Sequence, residues 1–178
     1  MTTERDRAVG WHAEIERKFL LARVPDHVHR HESVEIEQGW LSGAHPVRLR
    51  RERSATGVRL LRTEKRGHGA ARIEREAELA PDEFDVLWPA TAARRVSKRR
   101  WRVTVGAFCW EIDDFRDRTL ALAEVELPAI DIPLTLPDWL APCVVREVTD
   151  DPDYLNVNLA VEAASSPRVP TRVRASLR

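Results

Sequence analysis

Glu14-Ile15-Glu16-Arg17-Lys18 is the stretch on which the fold turns. Side chains alternate faces in a strand, so Glu14, Glu16 and Lys18 project one way and Ile15 and Arg17 the other. Two carboxylates and an ammonium on one face suit an exposed strand. They equally suit a wet cavity that holds metal ions and phosphate. The lysines favour the cavity. Of 29 basic residues only three are lysine, Lys18, Lys65 and Lys98, and all the others are arginine. Each lysine sits in a strand-like segment beside other charges of the same face. A chain that writes arginine by default and lysine here reads as needing a compact ammonium at those places.

Alternate residues in the other segments repeat the pattern. Arg48 and Arg50 oppose Val47 and Leu49. Thr63 and Lys65 share a face, as do Arg72, Glu74 and Glu76. Lys98 and Arg100 oppose Trp101 and Val103, Glu111 and Asp113 oppose Trp110 and Ile112, and Glu124 and Glu126 oppose Val125 and Leu127. A half-buried sheet with its charged face in water is the plain reading of any single strand. An exposed face needs only polarity, however, and these faces are almost purely ionic. Like charges also come in same-face pairs, which repel unless opposite charge lies between them. Divalent cations would sit between the acids, and an oligophosphate between the bases. Closing the sheet with its charged face inward gathers all these groups around one axis. The apolar face, with Phe19, Trp101 and Trp110, then points outward and needs cover from helices, a partner or both.

Composition narrows the classes. The chain has 178 residues, 29 acidic and 29 basic, with a formal charge of zero. That leaves no basic field for nucleic acid. No apolar run approaches the ~18 residues of a membrane span, and residues 1–10 lack the apolar centre of a signal peptide. Cys109 and Cys143 match no zinc spacing, so two reduced thiols in a cytoplasmic protein are expected.

The segments read in order as a strand over 11–24 ending at Pro25, then a histidine-rich loop with His27, His29 and His31, where metal binding is the alternative. A strand over 33–41 and a turn at 42–46 follow. A hairpin over 47–53 and 58–66 turns at Thr56-Gly57, and after a loop at 67–69 a strand covers 71–79. Pro81-Asp82-Glu83 opens a helix carrying Phe84, Leu87 and Trp88, stopped by Pro89. A three-strand meander spans 95–105, 107–116 and 119–127. A proline-rich stretch leads to a helix starting at Asp150-Asp151-Pro152, with Leu155 and Leu159 on one side. About eight strands with few helices imply a mainly β (α+β) architecture, an antiparallel barrel or sandwich. Residues 1–163 form one domain, and 164–178 an arginine-rich tail expected to be disordered.

Taken in sequence, these residues resemble the CYTH family, the triphosphate tunnel metalloenzymes. The resemblance starts at Glu14-x-Glu16-x-Lys18. It continues through Gln38-Gly39-Trp40-Leu41, Arg48-x-Arg50, Thr63-x-Lys65 and Arg72-x-Glu74-x-Glu76. Lys98-Arg99-Arg100-Trp101, Trp110-Glu111-Ile112-Asp113 and Ala123-Glu124-Val125-Glu126-Leu127 follow. Glu147-Val148-Thr149, Tyr154, Asn156 and Leu159 close it, over roughly residues 11–160. Trp40, Arg99 and Trp101 depart from the usual motifs, and Ala141 to Arg146 is longer than in close relatives.

The resemblance implies a closed eight-stranded antiparallel β-barrel tunnel with a few flanking helices. It implies hydrolysis of a triphosphate with Mg²⁺ or Mn²⁺. Carried over, Glu14, Glu16, Glu74, Glu76, Asp113, Glu124 and Glu126 are metal-side acids. Lys18, Arg48, Arg50, Arg72, Lys65, Lys98 and Arg100 are phosphate contacts, and Glu14, Glu16, Lys18 and Lys65 are the catalytic set. Inorganic tripolyphosphate is the leading substrate. A thiamine triphosphatase, an adenylyl cyclase and a non-catalytic polyphosphate or nucleotide sensor are the alternatives. No nucleic-acid or membrane partner is expected, and an apolar exterior leaves room for a homodimer.

Overall fold

The computed structural model describes residues 11–43, 47–68 and 71–162. Strands β1 (His12–Leu21), β2 (Ser33–Leu41), β3 (Val47–Ser54), β4 (Gly57–His68) and β5 (Ala71–Glu78) come first. Helix α1 (Pro81–Leu87) precedes β6 (Arg95–Val105), β7 (Phe108–Phe115), β8 (Ala121–Glu126) and β9 (Val144–Glu147), and α2 (Asn156–Glu162) follows. All the pairings are antiparallel, in the order β5-β4-β3-β2-β6-β7-β8-β1-β9. Strand β1 also pairs with β5, which closes eight strands into a barrel. It does so by splitting its length. His12–Ile15 pair with β5, while Glu16–Leu21 pair with β8. Such a stagger is what barrel closure requires of tilted strands.

The ninth strand was not expected. It takes the edge of β1 opposite β8, beyond the stretch that pairs with β5. Glu147-Val148-Thr149 holds the backbone of Lys18 from both sides. Val148 N–H donates to the Lys18 carbonyl at 2.8 Å, and Lys18 N–H donates to Thr149 Oγ1 at 3.0 Å. The clamp fixes the residue whose ammonium enters the bore.

The outward apolar face is covered by the chain itself. Phe19, Trp101, Val103, Trp110, Ile112, Val125 and Leu127 pack under Val28 and the segment carrying Leu134, Leu136, Trp139, Leu140 and Val144. The proline-rich stretch therefore does the work expected of helices or a partner. Proline brings no backbone donor that such an extended cover must satisfy. The histidines lie beside it in a 3₁₀ turn (Asp26–Arg30), where His27 stacks on Trp139 at 4.9 Å. On the opposite side Phe84 of α1 is fully buried beneath the Arg51 guanidinium, 4.9 Å from its ring.

Two helix boundaries differ from expectation. Pro89 does not end the helical run but sits in the first turn of a 3₁₀ helix, Trp88–Thr91, where its missing N–H costs nothing. That turn abuts β2 so closely that a Cβ on Gly39 would fall 2.4 Å from Thr91 Oγ1. Asp151 caps a 3₁₀ turn at Pro152–Tyr154, and α2 starts only at Asn156. Strand β4 also continues through Gly67 and His68, where a loop was expected. The arginine-rich tail lies outside the described residues.

Helix α2 plugs one end of the barrel. Leu159 and Ala160 are buried with Val148 against Trp40, Val96, Phe115 and Leu122, and Leu20, Tyr154 and Val157 pack around them. No helix among the described residues is long and apolar enough to cross a membrane.

Candidate active site

The barrel encloses a cavity of about 810 Å³, and its walls carry opposite charge. One wall is formed by β5, β1, β8 and β7, and contributes Glu74, Glu76, Glu14, Glu16, Glu124, Glu126 and Glu111. The facing wall is formed by β4, β3, β2 and β6. It contributes Lys65, Arg48, Arg50, Arg100 and Arg102, with Gln38 and Trp40 between them. Among the described residues Lys18 is the cation that lines the acidic side. The β-period explains the sorting: each strand gives alternate residues to the lumen, and on most strands those that line the cavity share a sign. Leu155, Asn156 and Val157 of the plug line the floor, and Ala107 and Cys109 the far end.

The like-charge pairs expected to call for outside ions are bridged within the protein. Lys65 Nζ lies 2.5 and 2.7 Å from the two oxygens of Glu14 and 2.8 Å from Glu74 Oε2. Lys18 Nζ lies 2.9 Å from Glu124 and 3.5 Å from Glu16. Glu76 Oε2 lies 2.9 Å from Arg50 Nη2 and 3.4 Å from Arg48 Nη2. Burial pushes the Glu76 carboxyl up, but Arg50, Arg48 and the Thr63 hydroxyl outweigh it and hold the group below the usual carboxylate range. Burial and the neighbouring Arg48 pull the Arg50 guanidinium down.

Deeper in the wall sits a denser knot. Arg100 donates to Asp113 through Nε and Nη2, both at 2.6 Å, to Glu124 at 2.8 Å, and to Glu111. Lys98 Nζ donates to Asp113 Oδ2 at 2.5 Å and to Asn156 Oδ1 of the plug at 3.4 Å. Lys98 and Asp113 are fully buried and do not line the cavity. Burial raises the Asp113 carboxyl, yet Arg100 and Lys98 together hold it below its ordinary range. Glu124 is likewise raised by burial and pulled well below by Lys18, Lys98 and Arg100. Glu126 is the opposite case. Among the described residues no lysine or arginine pairs with it. Burial and the carboxylates of Glu14, Glu111, Glu74 and Glu16 push it up.

Eleven expected site residues thus line one chamber: Glu14, Glu16, Lys18, Arg48, Arg50, Lys65, Glu74, Glu76, Arg100, Glu124 and Glu126. Lys98 and Asp113 lie behind it. Arg72 stands opposite Glu14 in the β1–β5 register. The expectation passed over Arg102 and Glu52. Arg102 lines the cavity and donates to Glu111 at 2.8 Å, and buried Glu52 lies 3.4 Å from Arg50 and 3.5 Å from Arg102. Each continues a same-face series by one step, Lys98-Arg100-Arg102 and Arg48-Arg50-Glu52. The alternation itself was the signal.

No group of three or more His, Cys, Asp or Glu among the described residues is already placed to hold a metal ion. The donor chemistry nevertheless fits a hard cation. The described carboxylates of the acidic side are oxygen ligands, the kind such a cation takes, with the Cys109 thiol set at the far end. Burial and then the repulsion of neighbouring carboxylates raise Glu126, and a cation there would relieve that repulsion.

No family model matches the chain. An inorganic triphosphatase from Nitrosomonas europaea is 35% identical over 158 residues, covering 83% of this chain and 97% of that protein. An inorganic triphosphatase from Acetivibrio thermocellus is 36% identical over 94 residues, covering 51% of this chain and 58% of that protein. A crystal structure of an inorganic triphosphatase superposes with a TM-score of 0.59 at 33% identity, over 83% of this chain and 94% of that one. The closed tunnel barrel with charge inside defines the class. The chain belongs to the family of these inorganic triphosphatases.

Proposed function

We propose that this chain is a CYTH-type tunnel enzyme that hydrolyses a phosphoanhydride bond of inorganic tripolyphosphate with Mg²⁺ or Mn²⁺. The two-walled chamber carries the reading. A triphosphate has to be held by many cations at once, while its counter-cations need carboxylates on the other side. The similarity to inorganic triphosphatases along nearly the whole of a relative supports the same substrate.

The roles follow from position. Arg48, Arg50, Lys65 and Arg100 receive the phosphoryl oxygens, with Lys18 reaching from the opposite wall. Preorganised cations in a partly dry chamber stabilise charge far better than they do in water. Glu14, Glu16, Glu74, Glu76, Glu124 and Glu126 are the acids that would hold divalent cations. A bound cation supplies neutralisation of the phosphate oxygens and activation of water. Asp113 aims Arg100 and is itself held by Lys98, so both act as positioning residues. The α2 plug keeps bulk water from the floor. A soluble, cytoplasmic setting suits this substrate.

Phosphate release from tripolyphosphate, ATP and thiamine triphosphate under Mg²⁺ and Mn²⁺ tests the proposal. Tripolyphosphate is expected to be the best substrate, with no turnover after chelation. Cyclic AMP formed from ATP would redirect the reading to a cyclase. Tight binding without release from any substrate would redirect it to a sensor.

A further inference from the structure

Glu76 does more on the acidic wall than await a cation. One of its oxygens, Oε2, accepts from Arg50 Nη2 at 2.9 Å and from Thr63 Oγ1 at 2.9 Å, and Arg48 Nη2 approaches to 3.4 Å. Arg48 also donates to Thr63 Oγ1 at 3.0 Å, so the donors form one cradle across β3 and β4. Three donors converging on one anionic oxygen is the reception a phosphoryl oxygen would get. Donor capacity is left over. Arg48 Nε and Arg50 Nε are buried and make no hydrogen bond, although Glu52 lies 3.4 Å from Arg50 Nε. Unspent buried donors are costly. A single carboxylate only partly fills this cradle.

We propose that Glu76 is an internal stand-in for a substrate phosphoryl group: it fills the Arg48–Arg50–Thr63 cradle until phosphate displaces it, and returns after cleavage. This rests on the triphosphatase reading and deepens it, making Glu76 a specificity-determining residue. A phosphoryl group brings about two charges and three acceptor oxygens, where the carboxylate brings one charge and two. A triphosphate, anchored elsewhere in the chamber by Lys65 and Arg100, can pull the cradle open. Orthophosphate has no second anchor and loses the competition, so the product leaves. Once displaced, the Glu76 carboxylate is released to the acidic wall, where it can take a cation. Phosphate and cation binding therefore favour each other, because each vacates an ion pair that opposes the other.

Calorimetric titration of full-length protein with orthophosphate and with tripolyphosphate tests this, first on chelator-treated samples and then with Mg²⁺. Glu76→Gln keeps the shape and removes the charge; Glu76→Ala removes the group. In metal-free buffer both variants are expected to bind orthophosphate about tenfold more tightly than wild type. Orthophosphate should also become a stronger product inhibitor of whatever turnover remains. Glu78→Gln, a neutral change outside the cradle, should bind as wild type does. Unchanged or weaker metal-free affinity in both Glu76 variants would overturn the proposal and leave the triphosphatase reading standing. Wild type that binds no tripolyphosphate with or without Mg²⁺ would overturn that reading and this proposal together.

Discussion

The bore holds two populations of charge that behave differently. Around Lys98, Asp113 and Arg100 every group is dry and multiply paired. At the far end Glu126 and Arg102 are exposed, and among the described residues no lysine or arginine pairs with Glu126, whose carboxyl is pushed up by burial and by neighbouring carboxylates. Both sets come from the same inward faces of neighbouring strands. The difference is depth along the axis. The inner knot is complete without any ligand, so it serves to hold the wall and to aim Arg100. Glu126 is under-compensated among the described residues, so under the proposed function it is the acid left to meet a cation.

Breaking the inner knot should have the largest effect. Asp113→Asn takes from buried Lys98 the carboxylate it donates to, and breaking a buried pair this way costs about 3–5 kcal/mol. Urea unfolding measures it. Adding Lys98→Met should return part of the loss, because it removes the ammonium that the first change left without its carboxylate. A cost below about 1 kcal/mol for the single change would place the knot among ordinary surface pairs and erase the contrast.

Glu126→Gln probes the other end. Turnover of tripolyphosphate is expected to fall about a hundredfold or more, the equivalent of several kcal/mol of lost transition-state stabilisation. Thermal stability should hold or rise slightly at neutral pH, since the change removes repulsion from Glu14, Glu111, Glu74 and Glu16. A variant with near-normal rates would remove Glu126 from the proposed cation site.

Alternation made the inward faces legible, and the like-sign pairs Glu14/Glu16, Arg48/Arg50 and Glu124/Glu126 marked them as a chamber rather than a wet surface. Alternation says which face a residue takes but not how far along the bore it sits. Lys98 and Arg100 are two residues apart on one strand, yet only Arg100 lines the cavity. That distinction depends on the plug, whose Asn156 reaches Lys98 from 58 residues away in sequence. Strand β9 stayed hidden for a related reason. Four residues, Val144–Glu147, are too few to show a period, and their partner in β1 is remote. The cover built from 134–144 has no period at all. Its apolar residues are spaced by prolines, and only the three-dimensional surface they meet explains them.

Acid should separate the two populations more gently. The folded-state carboxyls of Asp113 and Glu124 titrate below their ordinary range. As pH falls through about 4, the unfolded chain takes up protons first. Stability contributed by these groups is therefore complete above that range and drains as pH drops toward their folded values. Glu126 runs the other way, because its folded pKa is raised: its charge works against the fold above that value. Unfolding free energy followed from neutral to strongly acidic pH should fall steeply in wild type and more shallowly in Asp113→Asn. Parallel curves would mean the acid limb is set elsewhere.

The smallest effect belongs to the outside of the same strand. Arg17 is the sequence neighbour of Lys18 but projects outward, where its Nε and Nη2 meet Glu147 at 2.8 and 2.5 Å across the β1–β9 seam. The hydrogen bond from Arg17 holds the Glu147 carboxyl below its usual range. Both side chains remain about a third exposed, at 32% and 38%, so water screens the pair. Arg17→Ala should cost less than about 1 kcal/mol, even though its geometry is bidentate. Turnover should stay at the wild-type level, because the backbone clamp on Lys18 uses Val148 and Thr149 rather than this ion pair. A large loss of activity would mean that β9 orients Lys18 through Arg17, and that the outer face of β1 shares in the chemistry of the inner one.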